Sequence, residues 1–348
     1  MATTNGTFLL TGANGGLGKA IVEQHADAKF PSCHAIFTVR DANRAPDLAS
    51  DSAHEIVSLD LTDLDNVRRV AEDINARVSA GKIPPIRALV LNAGFQDFGK
   101  QSWTSQGLDT TFAANYLGHW LLTLLLLQSM DKVAGRIVVL GSQAHDPHDP
   151  RNASGRAFAD PKYQTIVTDA ARVRAIATGA WSPATEDAGF RGGYRRYGAA
   201  KLCLIMLQHE LQARMLDAEA GSGEIGHSNS NLCVVGVDPG AMSTGMQRLA
   251  PWVIRVLFFR VLFPLVAYVA PKRAFLVPTG RAAGRVLEAA LGTGEGGTAL
   301  LKDKYFHEGV PMETSEESRD AGKRKVVWEE SVKLAGLEEG ETILRNWK

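Results

Sequence analysis

The stretch from Thr7 to Gly18 constrains this chain more than any other. An apolar, β-branched run, TFLLT, passes at once into the glycine-rich turn TGANGGLG at Thr11–Gly18, and a helical period follows from about Leu17 to Lys29. A strand that turns through glycines into a helix is the opening half of a βαβ crossover, so it commits the chain to a parallel sheet with helices on its faces. Each glycine has a steric use. Gly12 permits the tight turn, Gly16 lets backbone approach a pyrophosphate, and Gly18 lets helix and strand pack closely. The first helical turn offers free N–H groups and a partial positive charge to an anion.

The rest of the chain repeats the alternation. Strands are expected at Ala35–Val39, Glu55–Leu59, Ile86–Leu91, Arg136–Leu140, Asn231–Val237 and Thr298–Leu301, with helices in most of the gaps. The expected fold class is therefore α/β: one Rossmann-type, doubly wound parallel sheet of about seven strands with helices on both faces. Leu108 to Met130 carries LGHWLLTLLLL, too apolar for a solvated helix, and is expected to pack on the sheet or across a dimer interface. Two stretches depart from the pattern. Residues 143–196 form a connection far longer than a crossover needs, helical around Thr165 to Ala177, and its place after the fifth strand puts it near the pocket. Residues 245–275 contain WVIRVLFFRVLFPLVAYVA at 252–270, which approaches the length of a membrane span but is broken by Arg255, Arg260 and Pro264. It reads as a buried or pocket-lining helix pair, with peripheral membrane contact as the rival. A catalytic domain over 1–310 and a solvated, peripheral tail over 311–348 follow.

Composition excludes several classes. Hydrophobic residues make up 45% and charged residues 22%, enough for a full core. With 38 basic and 38 acidic residues, no global field attracts nucleic acid. Cys33, Cys203 and Cys233 form neither a CxxC pair nor a disulfide framework, and no metal is expected. The N-terminus lacks a basic, apolar leader, so a cytoplasmic location is expected. His145 and His148 read as solvated loop or pocket residues, and His25 and His209 as surface positions on helices.

Tyr197 and Lys201 stand in Y-x-x-x-K, which on a helix places both on one face. A free phenol titrates near ~10, and an adjacent ammonium favours its ionised form. Ser142 follows the fifth strand directly, where it can donate to a substrate oxygen. Asn115 lies in the helix after the fourth strand. The spacing T-G-x-x-x-G-x-G, joined to Asn115, Ser142, Tyr197 and Lys201 in this order, resembles the short-chain dehydrogenase/reductase family, over Phe8 to about Phe306. Asn115-Tyr116-Leu117-Gly118-His119-Trp120, Ser142-Gln143-Ala144-His145 and Lys304-Tyr305-Phe306 are most similar to its retinol dehydrogenase and WW-domain oxidoreductase branch, although no WW domain is present and the long interval from Ser142 to Tyr197 departs from that branch.

The resemblance implies roles. Thr11, Gly12, Asn14, Gly16, Leu17 and Gly18 hold the dinucleotide phosphates. Asp60 and Leu61 flank the adenine, and Asn92, Ala93 and Gly94 lie beside the ribose. Pro239, Gly240 and Thr244 meet the nicotinamide end. Asn115 holds a kink and a water, while Lys201 binds the ribose hydroxyls and lowers the Tyr197 pKa. Arg40, the first residue after the second strand, with Arg44 close behind, points to the 2′-phosphate of NADP(H), with NAD(H) the second choice. The expected activity is NADPH-dependent reduction of a ketone or aldehyde of a bulky, largely apolar small molecule. Its rivals are NAD-dependent alcohol oxidation and a non-redox or scaffold role on the same fold. A homodimer or tetramer through the Leu108–Met130 and Tyr197–Leu216 helices is also implied.

Overall fold

The structure, a computed structural model, describes residues 5–27, 29–45, 48, 54–221, 231–242, 277–292 and 301–348. Thr244, the apolar segment 252–270 and residues 298–300 lie outside them. In chain order the elements are β1 (Thr7–Thr11), α1 (Gly16–His25), β2 (His34–Val39), β3 (His54–Ser58), α2 (Leu64–Ser79), β4 (Ile86–Leu91), α3 (Gly118–Leu126), β5 (Arg136–Leu140), α4 (Ala170–Ala177), α5 (Phe190–Gly221), β6 (Cys233–Asp238), α6 (Thr279–Leu291), β7 (Tyr305–His307), β8 (Val310–Pro311) and α7 (Ala321–Ala335). They build one sheet of order β3-β2-β1-β4-β5-β6-β7-β8. Neighbouring strands pair in parallel from β3 through β7, and β8 adds antiparallel to β7.

The doubly wound fold follows from strand periodicity. Phe8 and Leu10 of β1 join Phe37, Val90 and Val138 in a core under α1 and α6, whereas Leu9 faces the opposite layer with Leu89, Ile137 and residues of α2, α3 and α5. Because alternate side chains point to opposite faces, a strand with both faces covered must be apolar at every position. The central positions of TFLLT and RIVVL meet that demand, every residue of both is buried, and the polar ends Thr7, Thr11 and Arg136 hydrogen-bond to backbone carbonyls. The last parallel strand is Tyr305–His307, four residues beyond the expected Leu301, because the Gly236 N–H bonds to the Lys304 carbonyl at 2.8 Å and sets the register there.

The stretch 108–130 packs on the sheet. Every residue of α3 is buried within the chain, so it has no apolar face left for a partner. Thr110–Ser129 is the one helix among the described residues long and apolar enough to cross a membrane, and it is almost wholly buried in the fold.

The tail departs from the solvated segment expected for 311–348. Trp328 of α7 is 1% exposed and meets the buried Trp120 of α3 edge to face, with ring centroids 5.3 Å apart. Its indole N–H donates to the Trp347 carbonyl at 2.6 Å, the Tyr116 and Ser331 hydroxyls are 2.7 Å apart, and Arg68 of α2 donates to the Ala335 and Gly336 carbonyls. Charge density in EESRDAGKRK hid a packed helix whose buried positions, from Val327 to Ala335, fall farther along and include Glu330 and Ser331. Truncating Trp328 to Ala removes one of the largest buried side chains, and is expected to cost about 3–5 kcal/mol. Chemical denaturation measures this directly, and a loss below about 1 kcal/mol would mean that the tail is dispensable to the core.

Candidate active site

The glycine-rich turn sits where the strand order reverses, between β1 and β4, the place where open sheets of this kind bind ligands. Gly12 has φ +70°, and a Cβ there would lie 2.8 Å from the Ala93 Cα. A Cβ on Gly18 would lie 2.2 Å from the Gly12 carbonyl oxygen. Neither position accepts a side chain. Asn92 closes the junction by donating from Nδ2 to the Thr11 carbonyl at 2.7 Å and the Gly12 carbonyl at 3.2 Å, while Thr11 Oγ1 accepts from the Asn92 and Ala93 amides at 2.9 Å. Gly15 caps α1 without any side-chain hydrogen bond, and the first turn contains no acidic residue. Its amides therefore keep their donors for an anion. Asn14 is exposed over the turn, Gly16 opens the helix, and Leu17 is buried beneath it.

Arg40 extends into solvent just beyond β2, with its side chain 60% exposed and only a 4.0 Å approach to Asp60. Asp41, the competing acid, is occupied: its carboxylate caps the turn Ala42–Arg44 through the Asn43 amide at 3.0 Å and pairs with Arg44 at 3.3 Å. Asp60 accepts from Thr62, and Leu61 is buried with its carbonyl against Gly118. Gly94 packs against Asn115.

The four expected chemical residues converge beyond the carboxyl end of β5. Asn115 lies in a π-helical turn, Ala113–Leu117, which supplies the kink. Three hydrogen bonds fix its side chain, with Nδ2 donating to the Phe95 and Thr111 carbonyls at 3.0 and 2.8 Å and Oδ1 accepting from the Phe95 amide at 3.2 Å. Ser142 accepts from the Ala144 amide at 3.2 Å, which leaves its O–H free to donate. Tyr197 and Lys201 share one face of α5, with Lys201 Nζ 5.7 Å from the phenol ring centre and donating to the Leu140 carbonyl at 2.7 Å.

Electrostatics differ from the expectation that lysine lowers the tyrosine pKa. Burial pushes the Tyr197 phenol well above its ordinary range, with the Ser142 hydrogen bond opposing, and burial lowers Lys201 to about 8 despite the Asp238 carboxylate. Desolvation exceeds the local charge because both groups lie within the protein. Tyr197 is thus a neutral phenol at neutral pH. His119, whose Nε2 is 3.0 Å from Thr11 Oγ1, is lowered to about 3 by burial and carries no charge.

The segment after Ser142 folds into turns and α4, and its Phe158, Tyr163, Ile166, Val173 and Trp181 join the core over α5. Arg196, next to Tyr197, forms a buried bidentate pair with Asp97 at 2.8 and 2.9 Å and also donates to the Ser182 carbonyl. Thr111 Oγ1 donates to the same Asp97 at 3.2 Å. One ion pair thus ties together the inserted segment, the helix of Tyr197 and the turn leading to Asn115. Sequence reasoning missed this clasp, because nothing local pairs residues 99 positions apart. His209 is buried, contrary to expectation, with Nδ1 2.6 Å from Asp303, and of the two alternatives for His145 the solvated one fails, since it is buried with Nε2 accepting from the Ser315 amide at 3.1 Å. His25 is partly buried beside Phe8. Pro239 and Gly240 follow β6, with the Gly240 amide bonded to Asp238 at 3.0 Å.

The short chain dehydrogenase family model matches residues 7–154. The chain is 39% identical to short-chain dehydrogenase iccH of Talaromyces variabilis over 99% of both chains. It is 26% identical to the chloroplastic protochlorophyllide reductase of Pisum sativum, over 95% of this chain and 78% of that one. An NADPH-bound carbonyl reductase from chicken fatty liver shares the fold, with a TM-score of 0.55, 15% identity and coverage of 89% and 99%.

Introducing Ala at Gly18 forces backbone apart at the glycine-rich turn. The expected result is a stability loss of about 1–3 kcal/mol together with a nucleotide affinity at least about tenfold weaker, read by denaturation and by fluorescence titration. Undiminished affinity would place the phosphates elsewhere.

Proposed function

The chain belongs to the short-chain dehydrogenase/reductase family of oxidoreductases, and from that premise we propose that it uses NADPH to reduce a ketone or aldehyde of a bulky, largely apolar small molecule. The observation that carries the reading is the shared helix face of Tyr197 and Lys201, with the Lys201 ammonium 5.7 Å from the phenol ring and burial holding that phenol neutral. A phenol that keeps its proton at neutral pH suits the acid half of a carbonyl reduction.

The residues present fit a dinucleotide. Two glycine positions are too close to backbone for a Cβ, and the uncapped amides of α1 would receive its pyrophosphate. Arg40 supports NADPH over NADH, since it is free to meet a 2′-phosphate while Asp41 is turned to its own helical turn. A bound reduced nicotinamide supplies the hydride that the carbonyl carbon receives. Ser142 donates to the carbonyl oxygen and stabilises the charge that develops there. Tyr197 gives its Oη proton to that oxygen as the alkoxide forms. The Lys201 ammonium stabilises the resulting phenolate and binds the ribose hydroxyls. Asn115 holds the π turn that sets helix and active-site loop against each other, on the path by which protons return to Lys201 through water. Thr244 would close the nicotinamide end with Pro239 and Gly240. The inserted segment shapes the substrate side, and a cytoplasmic setting suits this cofactor.

Two measurements test the proposal. In fluorescence titrations NADPH should bind more tightly than NADH, and Arg40→Ala should weaken NADPH by about tenfold or more while leaving NADH nearly unchanged. Equal affinity for both cofactors would remove the NADP assignment. Tyr197→Phe should lower kcat for any ketone that is turned over by about 10²–10⁴-fold without loss of cofactor binding. Retained turnover would remove Tyr197 as the proton donor.

A further inference from the structure

A buried carboxylate that the proposed chemistry does not use stands at the end of β6. Asp238 is 3% exposed. Its Oδ2 lies 3.1 Å from His307 Nδ1 of β7 and 3.3 Å from Arg151 Nη1, and its Oδ1 accepts from the Gly240 amide at 3.0 Å. Arg151 comes from the inserted segment, where Asp149 holds its guanidinium at 2.9 Å from Nε, and Nη1 also lies 3.0 Å from the His307 ring nitrogens. The inserted segment thus reaches the sheet at this carboxylate.

The location gives the carboxylate its consequence. Lys201 Nζ donates to the Leu140 carbonyl, Leu140 pairs with Val237 of the next strand, and Asp238 follows Val237. Neighbouring strands are about 4.8 Å apart, so Asp238 and the carbonyl that holds the Lys201 ammonium stand at the same end of adjacent strands. Both side chains are buried there, where charges are poorly screened from each other.

We propose that Asp238 is a positioning residue that sets the electrostatic balance of the Tyr197–Lys201 pair, and that Arg151, delivered by the inserted segment, regulates how much of its charge reaches them. The proposal rests on the reading of Tyr197 and Lys201 given above.

The surroundings leave few rivals for this role. Burial works to raise the Asp238 carboxyl, but His307, the Gly240 amide and Arg151 hold it below its ordinary value, so it is an anion at neutral pH. Its field favours the protonated forms of Lys201, Tyr197, Tyr194 and Tyr305. On the other sides of Lys201, His119 of α3 is uncharged, and His145, in the turn after Ser142, is lowered by burial. Asp149 is engaged by Arg151, and Glu308, next to His307, faces Arg285 of α6 at 3.6 Å.

The test is a pH titration of the full chain, labelled with carbon-13 at lysine Cε and followed by NMR, with the Lys201 signal assigned by its loss in Lys201→Met. It needs no cofactor, so absence of NADPH binding would count against the proposed function and leave this result standing. Asp238→Asn should move the Lys201 midpoint down by about one pH unit, and Arg151→Met should move it up. Arg151→Lys, which keeps the charge, should return it close to the original value and guards against a misfolded Met variant. NADPH affinity against pH should follow the same three displacements. Shifts of the same sign in Asp238→Asn and Arg151→Met, or no shift in either, would overturn the proposal and leave the cluster as a structural clasp.

Discussion

The close approach of two backbones at the head of β1 and β4 governs the architecture. Gly12 and Ala93 meet at a distance that excludes a Cβ, and Asn92 and Thr11 satisfy the polar groups exposed where the two strands part. Buried backbone donors and acceptors need partners, and here two side chains supply most of them. With the strands held together at this point, the chain must leave β1 toward one face and β4 toward the other. A crevice opens between the departing segments, and every group assigned to the cofactor is placed relative to it.

A second constraint acts from the substrate side. A buried ion pair is a weak source of net stability, because desolvating both charges offsets their attraction. The Arg196–Asp97 pair is therefore better understood as a locator: both carboxylate oxygens are bonded, and the guanidinium also reaches the Ser182 carbonyl. Tyr197 follows Arg196 on the same helix, so its place inherits the geometry of the pair. Glu317, near the C-terminus, accepts from the Ile166 and Val167 amides, and Arg174 of α4 pairs with Glu330 of α7 at 2.8 Å. The inserted segment and the tail thus brace one another across the core that backs the active site.

Local periodicity and motif spacing carried the sheet and the chemical residues into view. Ile86–Leu91 and Arg136–Leu140 fall where the apolar runs place them, because a strand buried on both faces leaves a nearly continuous apolar signal, broken here only by Arg87 and Arg136 near the strand starts. Asn115, Ser142, Tyr197 and Lys201 were visible for a different reason, since each follows an element end or a helical spacing. What escaped was non-local. The burial of Trp328 depends on Trp120, and that of His209 on Asp303 and Thr314, residues about a hundred or more positions away. A charged run such as EESRDAGKRK looks solvated until the helix after it is seen to have a partner. Asp238 stood in the sequence beside Pro239 and Gly240, but its ionic partners come from a turn and a strand that only the fold brings near.

Burial also changes how the Tyr-Lys pair works. On an exposed helix an ammonium one turn away would draw the phenol toward ionisation. Inside this fold desolvation acts on both residues at once, holding the phenol neutral and weakening the ammonium. The pair then resists charge separation in the ground state. In the proposed reduction, negative charge on a substrate oxygen beside Ser142 would remove that resistance, because the proton of Tyr197 would neutralise it while Lys201 received a phenolate partner. Proton transfer would then be coupled to arrival of the hydride, and interactions that strengthen only as charge develops are those that lower a barrier.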